Sequence, residues 1–198
     1  MLPTVLRELA TSASERSPPP SEYRVFDLGC GNGSTAAILA KHGYSVTGVD
    51  PSEDGIGIAN TSFPDLKLEL GSCYDDLAAR YGTFPVVLSL EVVEHVFFPR
   101  KFAKCIFDLL EPGGIALIST PYHSYWKNLA LALSGKMDAH FTALWDYGHI
   151  KFWSRTTLTT LLEEAGLRVE RFTRVGRIPA LAKSMIAIAR RPETVISE

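Results

Sequence analysis

Val25-Phe26-Asp27-Leu28-Gly29-Cys30-Gly31-Asn32-Gly33 runs from a short apolar strand directly into a glycine-rich turn. The residues that follow, Ser34 to His42, read as a helix with apolar positions at Ala37, Ile38 and Leu39 and a stop at Gly43. Glycines in such a turn let the backbone come close to a ligand, and the helix start offers free N–H groups. The spacing is D-x-G-x-G-x-G. The dinucleotide fingerprint G-x-G-x-x-G would need glycine at position 34, which is Ser34.

Outward from this turn, strand and helix patterns alternate. Ser45 to Asp50 is read as a strand, Pro51 to Ala59 as a helix and Leu66 to Leu70 as a strand. Tyr74 to Tyr81 follows as a helix, and Pro85 to Leu90 is a continuous apolar strand of the kind found inside parallel sheets. Phe98 to Leu110 is a helix, Glu111-Pro112-Gly113-Gly114 a turn, and Ile115 to Ser119 strand five. After an aromatic-rich stretch, Thr156 to Ala165 is a helix, and Leu167 to Val175 and Ser184 to Ala189 are strands. Such repetition predicts an α/β fold with a parallel sheet and helices on both faces. Residues 2–14 are expected to form a short helix, tethered by the linker Ser17-Pro18-Pro19-Pro20-Ser21.

The second strand ends in Asp50, seventeen residues after Gly33, where a carboxylate can accept both ribose hydroxyls of an adenosine. Asp27 would repel a pyrophosphate but suits a ligand whose tail carries an ammonium. Together these point to S-adenosylmethionine, with S-adenosylhomocysteine as product.

On these residues the chain resembles the class I S-adenosylmethionine-dependent methyltransferases, over about residues 22–191. The resemblance implies a Rossmann-like three-layer α/β/α sandwich. Its sheet would have seven mostly parallel strands and an antiparallel last strand, in a single domain spanning 1–198. It puts Asp27, Gly29, Cys30, Gly31 and Gly33 along the methionine part of the cofactor, Asp50 on the ribose and Pro51 beside the adenine. Ser72 and Cys73 stand where many members read the adenine amine with Asp. Leu90 and Glu91 fall beside the sulfonium.

A second cluster, Glu91-Val92-Val93-Glu94-His95, closes the fourth strand. Ligands of open α/β sheets bind at the carboxyl ends of strands. Two carboxylates and an imidazole at this spacing can converge if the segment turns helically. Such a set suits Mg²⁺ or Mn²⁺, with His149 as a fourth ligand to Glu91, Glu94 and His95. The cluster resembles that of ubiquinone-biosynthesis O-methyltransferases and of small-RNA 3′-terminal 2′-O-methyltransferases. Without metal, His95 or His149 would be the base, and Glu94 would orient the histidines or cap the following helix.

Residues 121–153 hold Tyr122, His123, Tyr125, Trp126, Phe141, Trp145, Tyr147, Phe152 and Trp153 and are expected to form a substrate-side insertion. Tyr125, Trp126, Leu129, Ala130 and Leu133 share one helical face. That face is expected to pack on the domain; a lid or a peripheral membrane contact are the other readings. His123 is a substrate contact, a base or a solvated loop residue.

The 198 residues carry a net charge of −2. Residues 1–150 hold 11 basic against 17 acidic side chains, and 151–198 hold 9 against 5. This disfavours a nucleic-acid partner. The resemblance and the aromatic stretch imply a small, partly apolar, hydroxylated acceptor such as a phenol. Only the basic end, with Arg168, Arg171, Arg174 and Arg177, could meet an anionic partner. The alternatives are a metal-dependent RNA 2′-O-methyltransferase or a non-catalytic cofactor-binding module. Three widely spaced cysteines, Cys30, Cys73 and Cys105, are neither a disulfide framework nor a zinc site and fit a reducing cytoplasm. Met1 to Pro20 shows no signal-peptide pattern, and no apolar run is long enough for a membrane span.

Overall fold

The computed structural model describes residues 1–15, 23–141, 143–176 and 182–193. The expected linker at Ser17–Ser21 and Arg177 lie outside the described residues. The elements are α1 (Leu2–Glu15), β1 (Tyr23–Leu28), α2 (Ser34–Lys41), β2 (Tyr44–Asp50), α3 (Glu53–Ser62), β3 (Lys67–Leu70), α4 (Leu77–Tyr81) and β4 (Phe84–Leu90). They continue with α5 (Pro99–Leu109), β5 (Leu110–Pro121), α6 (Tyr125–Leu133), α7 (Met137–Phe141), α8 (Arg155–Glu164), β6 (Arg168–Val175) and β7 (Ser184–Arg190).

The seven strands form one sheet in the order β3-β2-β1-β4-β5-β7-β6. β7 alone runs antiparallel to its neighbours, as expected from the resemblance. Strand order reverses between β1 and β4, which opens a crevice at their carboxyl ends. Period-two alternation splits the core into two layers. Val86 and Leu88 of β4, Ile115 and Leu117 of β5, and Ile186 and Ile188 of β7 face one core. Val87, Ala116, Ile118, Ala187 and Ala189 face the other, against Phe102 and Ile106 of α5 and Leu158 and Leu162 of α8.

Two expectations need correction. Glu111–Gly114 is not a turn outside the sheet but the irregular start of β5. Leu110 already pairs with Phe84, and the register shifts before Val86 meets Ile115. Gly113 takes the left-handed backbone (φ 75°) that absorbs the extra residues. The N-terminal helix is not merely tethered by a linker either. Val5 and Leu9 of α1 are fully buried in the core shared with α2 and α3. Buried Glu8 pairs with Arg171 of β6.

Candidate functional site

The glycine turn divides its work. A side chain on Gly29 (φ 89°) would put its Cβ 2.3 Å from Val92 Cγ2, so the turn packs tightly on the segment after β4. Gly31 (φ 52°) has nothing within 4 Å of where a Cβ would stand. It lines open space, as a backbone that approaches a ligand must. Gly29→Ala should destabilise the fold by about 1–3 kcal/mol, from clash and left-handed strain together. Thermal unfolding checks this, and an unchanged melting temperature would overturn the packing role given to Gly29.

Asp50 sits beside that space. Its Oδ2 accepts from Gly31 N at 2.9 Å and its Oδ1 from Ser52 N at 2.9 Å. These bonds aim the carboxylate at the space beside Gly31. Asp27, at the end of β1, is only 2% exposed, and its Oδ2 has no hydrogen-bond partner. Burial, and secondarily the Asp50 charge, push its carboxyl up to about 7. An orphaned acid under a glycine turn fits an ammonium group, so the residues present suit S-adenosylmethionine.

The remaining cofactor candidates divide. Gly33 caps α2 in the left-handed conformation. The Cys30 side chain is turned into the core, and burial raises its thiol to about 12. Only the Cys30 backbone is left to meet a ligand, and its N–H already donates to Val49 O at 3.0 Å. Pro51 is exposed and Leu90 half-buried at the strand ends. Ser72 is held by its N–H to Asp75 Oδ2 at 2.7 Å, and the Cys73 thiol packs against the core. The organising part of Asp75 was missed in the sequence because it lies beyond the motif.

The second cluster forms around a turn, with His95 N donating to Val92 O at 2.9 Å. Glu94, His95 and His149 bring one ligand atom each to within 4.8 Å of one another. Glu91 stands apart from this trio. Its Oε1 accepts from the Ser119 hydroxyl at 2.8 Å. Burial raises its carboxyl, against the effect of Ser119, Ser184 and His95. Glu91 and Tyr147 are the described non-glycine residues with left-handed backbones (φ 57° and 60°), and both flank the trio. Strain of this kind persists where the surroundings impose it, and it gathers at functional sites.

His149 is delivered by long-range ties. Glu94 O accepts from Ile150 N and Lys151 N at 2.9 and 3.0 Å, and Val93 O from Trp153 Nε1 at 3.1 Å. His95 Nδ1 lies 3.0 Å from Tyr147 O and 3.2 Å from Gly148 O. A carbonyl only accepts, so Nδ1 carries a hydrogen, and in the neutral tautomer the lone pair is on Nε2. The His95 and His149 rings meet edge to face at 4.9 Å, and His149 Nε2 is 4.0 Å from Glu94 Oε1. Burial, then the nearby histidines, lower the His149 pKa. Glu94 is 1% exposed, neither oxygen has a well-formed hydrogen bond, and burial raises its carboxyl to about 8.

His149 also lines a cavity of about 410 Å³ with His123, Asn128, Phe141, Ala143 and Phe152. His123 lies 5.1 Å from Phe152 and stacks on Phe141 at 6.3 Å between centroids. Burial lowers its pKa to about 4, so its ring is neutral near pH 7. The expectation that the α6 face packs on the domain is not met. No residue of α6 is buried, and Tyr125, Trp126 and Leu133 are exposed. Lys127, on the other side, donates to Tyr122 O and anchors the helix instead.

The comparisons with known proteins agree with this geometry. The family described as "Methyltransferase domain" matches residues 2–171. The chain is 37% identical over 148 residues to a ubiquinone biosynthesis O-methyltransferase of Caulobacter sp. (strain K31), covering 71% of this chain and 57% of that protein. It is 36% identical over 160 residues to the protein of the same name from Dinoroseobacter shibae, covering 77% and 63%. The chain thus spans about three fifths of the length of these relatives. Among solved structures, an S-adenosylmethionine-dependent methyltransferase from Mesorhizobium loti superposes with a TM-score of 0.65 at 18% identity, covering 93% of this chain and 96% of that one. That likeness concerns the fold. The sequence match supplies what fold alone does not, and by it the chain belongs to the class I S-adenosylmethionine-dependent methyltransferases.

Proposed function

We propose that the protein transfers a methyl group from S-adenosylmethionine to a hydroxyl of a small, flat, partly apolar acceptor, phenolic in kind, in a reducing cytoplasm. The observation that carries this reading is the convergence of Glu94, His95 and His149 at the end of β4, beside Asp27 and the glycine turn. When bound, the sulfonium supplies the methyl group. Asp27 holds the ammonium and Asp50 the ribose, which fixes the methyl against the trio. The acceptor oxygen must lose its proton as its bond to carbon forms and the carbon–sulfur bond breaks. His95, its ring oriented through Nδ1, would take that proton at Nε2. A neutral His149 is the second candidate for it.

The trio also fits a divalent ion. One carboxylate and two imidazoles suit Mn²⁺ better than Mg²⁺, which prefers oxygen. Glu94, His95 and His149 would hold it, and it would supply a lower pKa for an acceptor hydroxyl. RNA methylation is less favoured, because residues 121–153 carry Lys127, Lys136 and Lys151 against Asp138 and Asp146, which makes no basic groove. Among the described residues no helix is long and apolar enough to cross a membrane. The exposed aromatics of α6 support a peripheral contact with a lipid surface.

Calorimetric titration of S-adenosylhomocysteine into chelator-treated protein tests the reading. Binding is expected, and Asp50→Ala should weaken it by more than tenfold, because the charge-assisted bonds to ribose are lost. Wild-type affinity in the variant would overturn the role of Asp50. Absence of binding in the wild type would overturn the reading as a whole.

A further inference from the structure

Strands β4 and β5 stay paired until Leu90 meets Ser119, and the chain turns away at the next residue, Glu91. The turn uses a left-handed backbone (φ 57°), which an L side chain adopts where its surroundings impose it. Ser119 supplies those surroundings. Glu91 N donates to Ser119 O at 3.1 Å and to Ser119 Oγ at 2.9 Å, and the Ser119 hydroxyl donates back to Glu91 Oε1 at 2.8 Å. Met1 Sδ, 3.4 Å from that hydroxyl, is the weaker acceptor for its single hydrogen. Ser119 is fully buried, and Ser184 of β7 supports the Glu91 carboxylate from a second strand. The next residue of β5 points to the opposite face of the sheet. There Thr120, also fully buried, acts on Glu94. The end of β5 thus separates two glutamates that stand three residues apart in sequence. Glu91 is held toward the core that contains α1, and Glu94 toward the core that contains Val93 and Trp153.

We propose that Ser119 and Glu91 are positioning residues, whose paired hydrogen bonds hold the left-handed turn that brings Glu94 and His95 to His149. This rests on the methyltransferase reading above and deepens it. The direction in which the backbone leaves Glu91 decides where Glu94 and His95 come to lie, because the turn closes at once through His95 N on Val92 O. What the site needs from Glu91 is then an accepting oxygen at the right reach, not a charge. Glutamine has the same length and the same accepting oxygen, so it can still take the Ser119 hydrogen. Alanine at either position removes the bond between the two side chains. A role for Glu91 as a charged ligand predicts the opposite for glutamine, which would then fail as alanine does.

The test uses the whole chain, chelator-treated, saturated with S-adenosylhomocysteine and deuterated except at histidine. The His95 and His149 rings, 4.9 Å apart between centroids, should give a nuclear Overhauser effect in the wild type. Signals are assigned from His95→Gln and His149→Gln. The effect should be lost in Ser119→Ala and in Glu91→Ala and restored in Glu91→Gln. Methyl transfer from S-adenosylmethionine to catechol should follow the same order. In both alanine variants kcat should fall by about tenfold to a hundredfold with the Kd for S-adenosylhomocysteine unchanged, and glutamine should restore most of it. The proposal is overturned if the wild type lacks the ring contact, if the alanine variants keep it, or if Glu91→Gln fails as Glu91→Ala does. Should Ser119→Ala not fold, the two Glu91 variants decide alone. A wild type that binds the nucleoside and leaves catechol unmethylated overturns the phenolic acceptor, and the ring contact still decides the positioning role. Failure of the nucleoside itself to bind would bring down both readings.

Discussion

Asp27→Asn will make the ligand-free protein more stable and cost it its cofactor. The wild-type carboxyl is buried, lacks a partner at Oδ2, and is raised from 3.8 to about 7. A raised acid favours the fold most below its unfolded pKa, and that contribution disappears as pH rises through the folded value. Ligand-free stability should therefore fall between about pH 4 and 7 on account of this residue. Asparagine keeps the shape and removes the charge. A gain on the order of 2 kcal/mol at pH 8 would lift the melting temperature by about 4–8 °C in a chain of this size. The same change removes the counter-charge for a buried ammonium. Loss of about 3 kcal/mol of charge-assisted bonding corresponds to a hundredfold weaker Kd for S-adenosylhomocysteine. The pH profile gives a second check. Binding selects the ionised carboxylate, so wild-type affinity should fall about tenfold per pH unit below 7, and the variant should lack that slope. A variant that is less stable and binds normally would remove Asp27 from the cofactor site.

The parts of this arrangement that could be read from sequence are those set by local spacing. The glycine turn, its acidic flank and the carboxylate at the end of β2 lie within one β-α-β unit, where strand length and turn chemistry fix the geometry. Sheet class followed from the alternation of patterns, and the antiparallel β7 from the resemblance. What escaped was set by contacts distant in sequence. Glu91 and Glu94 look equivalent as a motif, but the left-handed backbone at Glu91 sends its side chain to Ser119, 28 residues away. Asn128 and Thr120 carry no motif, and only burial without a well-formed hydrogen bond marks them. α1 reads as a tethered helix because its partner, Arg171, lies 163 residues along the chain from Glu8. The α6 pattern is a helix pattern, but a helical stripe does not say which body, if any, covers it.

Glu94→Gln should abolish turnover while leaving the cofactor site and the fold in place. The backbone carbonyl of residue 94 accepts from Ile150 and Lys151, and the variant keeps both bonds. The segment that delivers His149 therefore stays anchored. The side chain itself is a cost to the ligand-free protein. Its carboxyl is raised from 4.5 to about 8 chiefly by burial, which outweighs the opposing effect of its own backbone; the Glu91 charge adds to the rise, and Thr120 opposes it least. Stability attributable to Glu94 is thus greatest below about pH 4.5 and is lost as pH rises through 8, so glutamine should raise the melting temperature most at alkaline pH. Retention of so costly a group makes sense if a positive charge meets it during turnover: an imidazolium formed on His95 or His149, or a divalent ion on all three residues. Either way, the neutral amide fails at the step where charge develops, and a fall in kcat of about 10²–10⁴ is expected with Kd for S-adenosylhomocysteine unchanged. The two sources of charge separate in one further measurement. If the ion supplies it, Mn²⁺ raises wild-type activity after chelation, and the variant loses the metal-binding heat. If the imidazolium supplies it, chelation leaves the wild type active, and the variant's pH–rate profile moves toward acid because the base has lost the carboxylate that favours its protonated form. A Glu94→Gln enzyme with wild-type kcat under both conditions would take the trio out of the chemistry, leaving its convergence to packing alone.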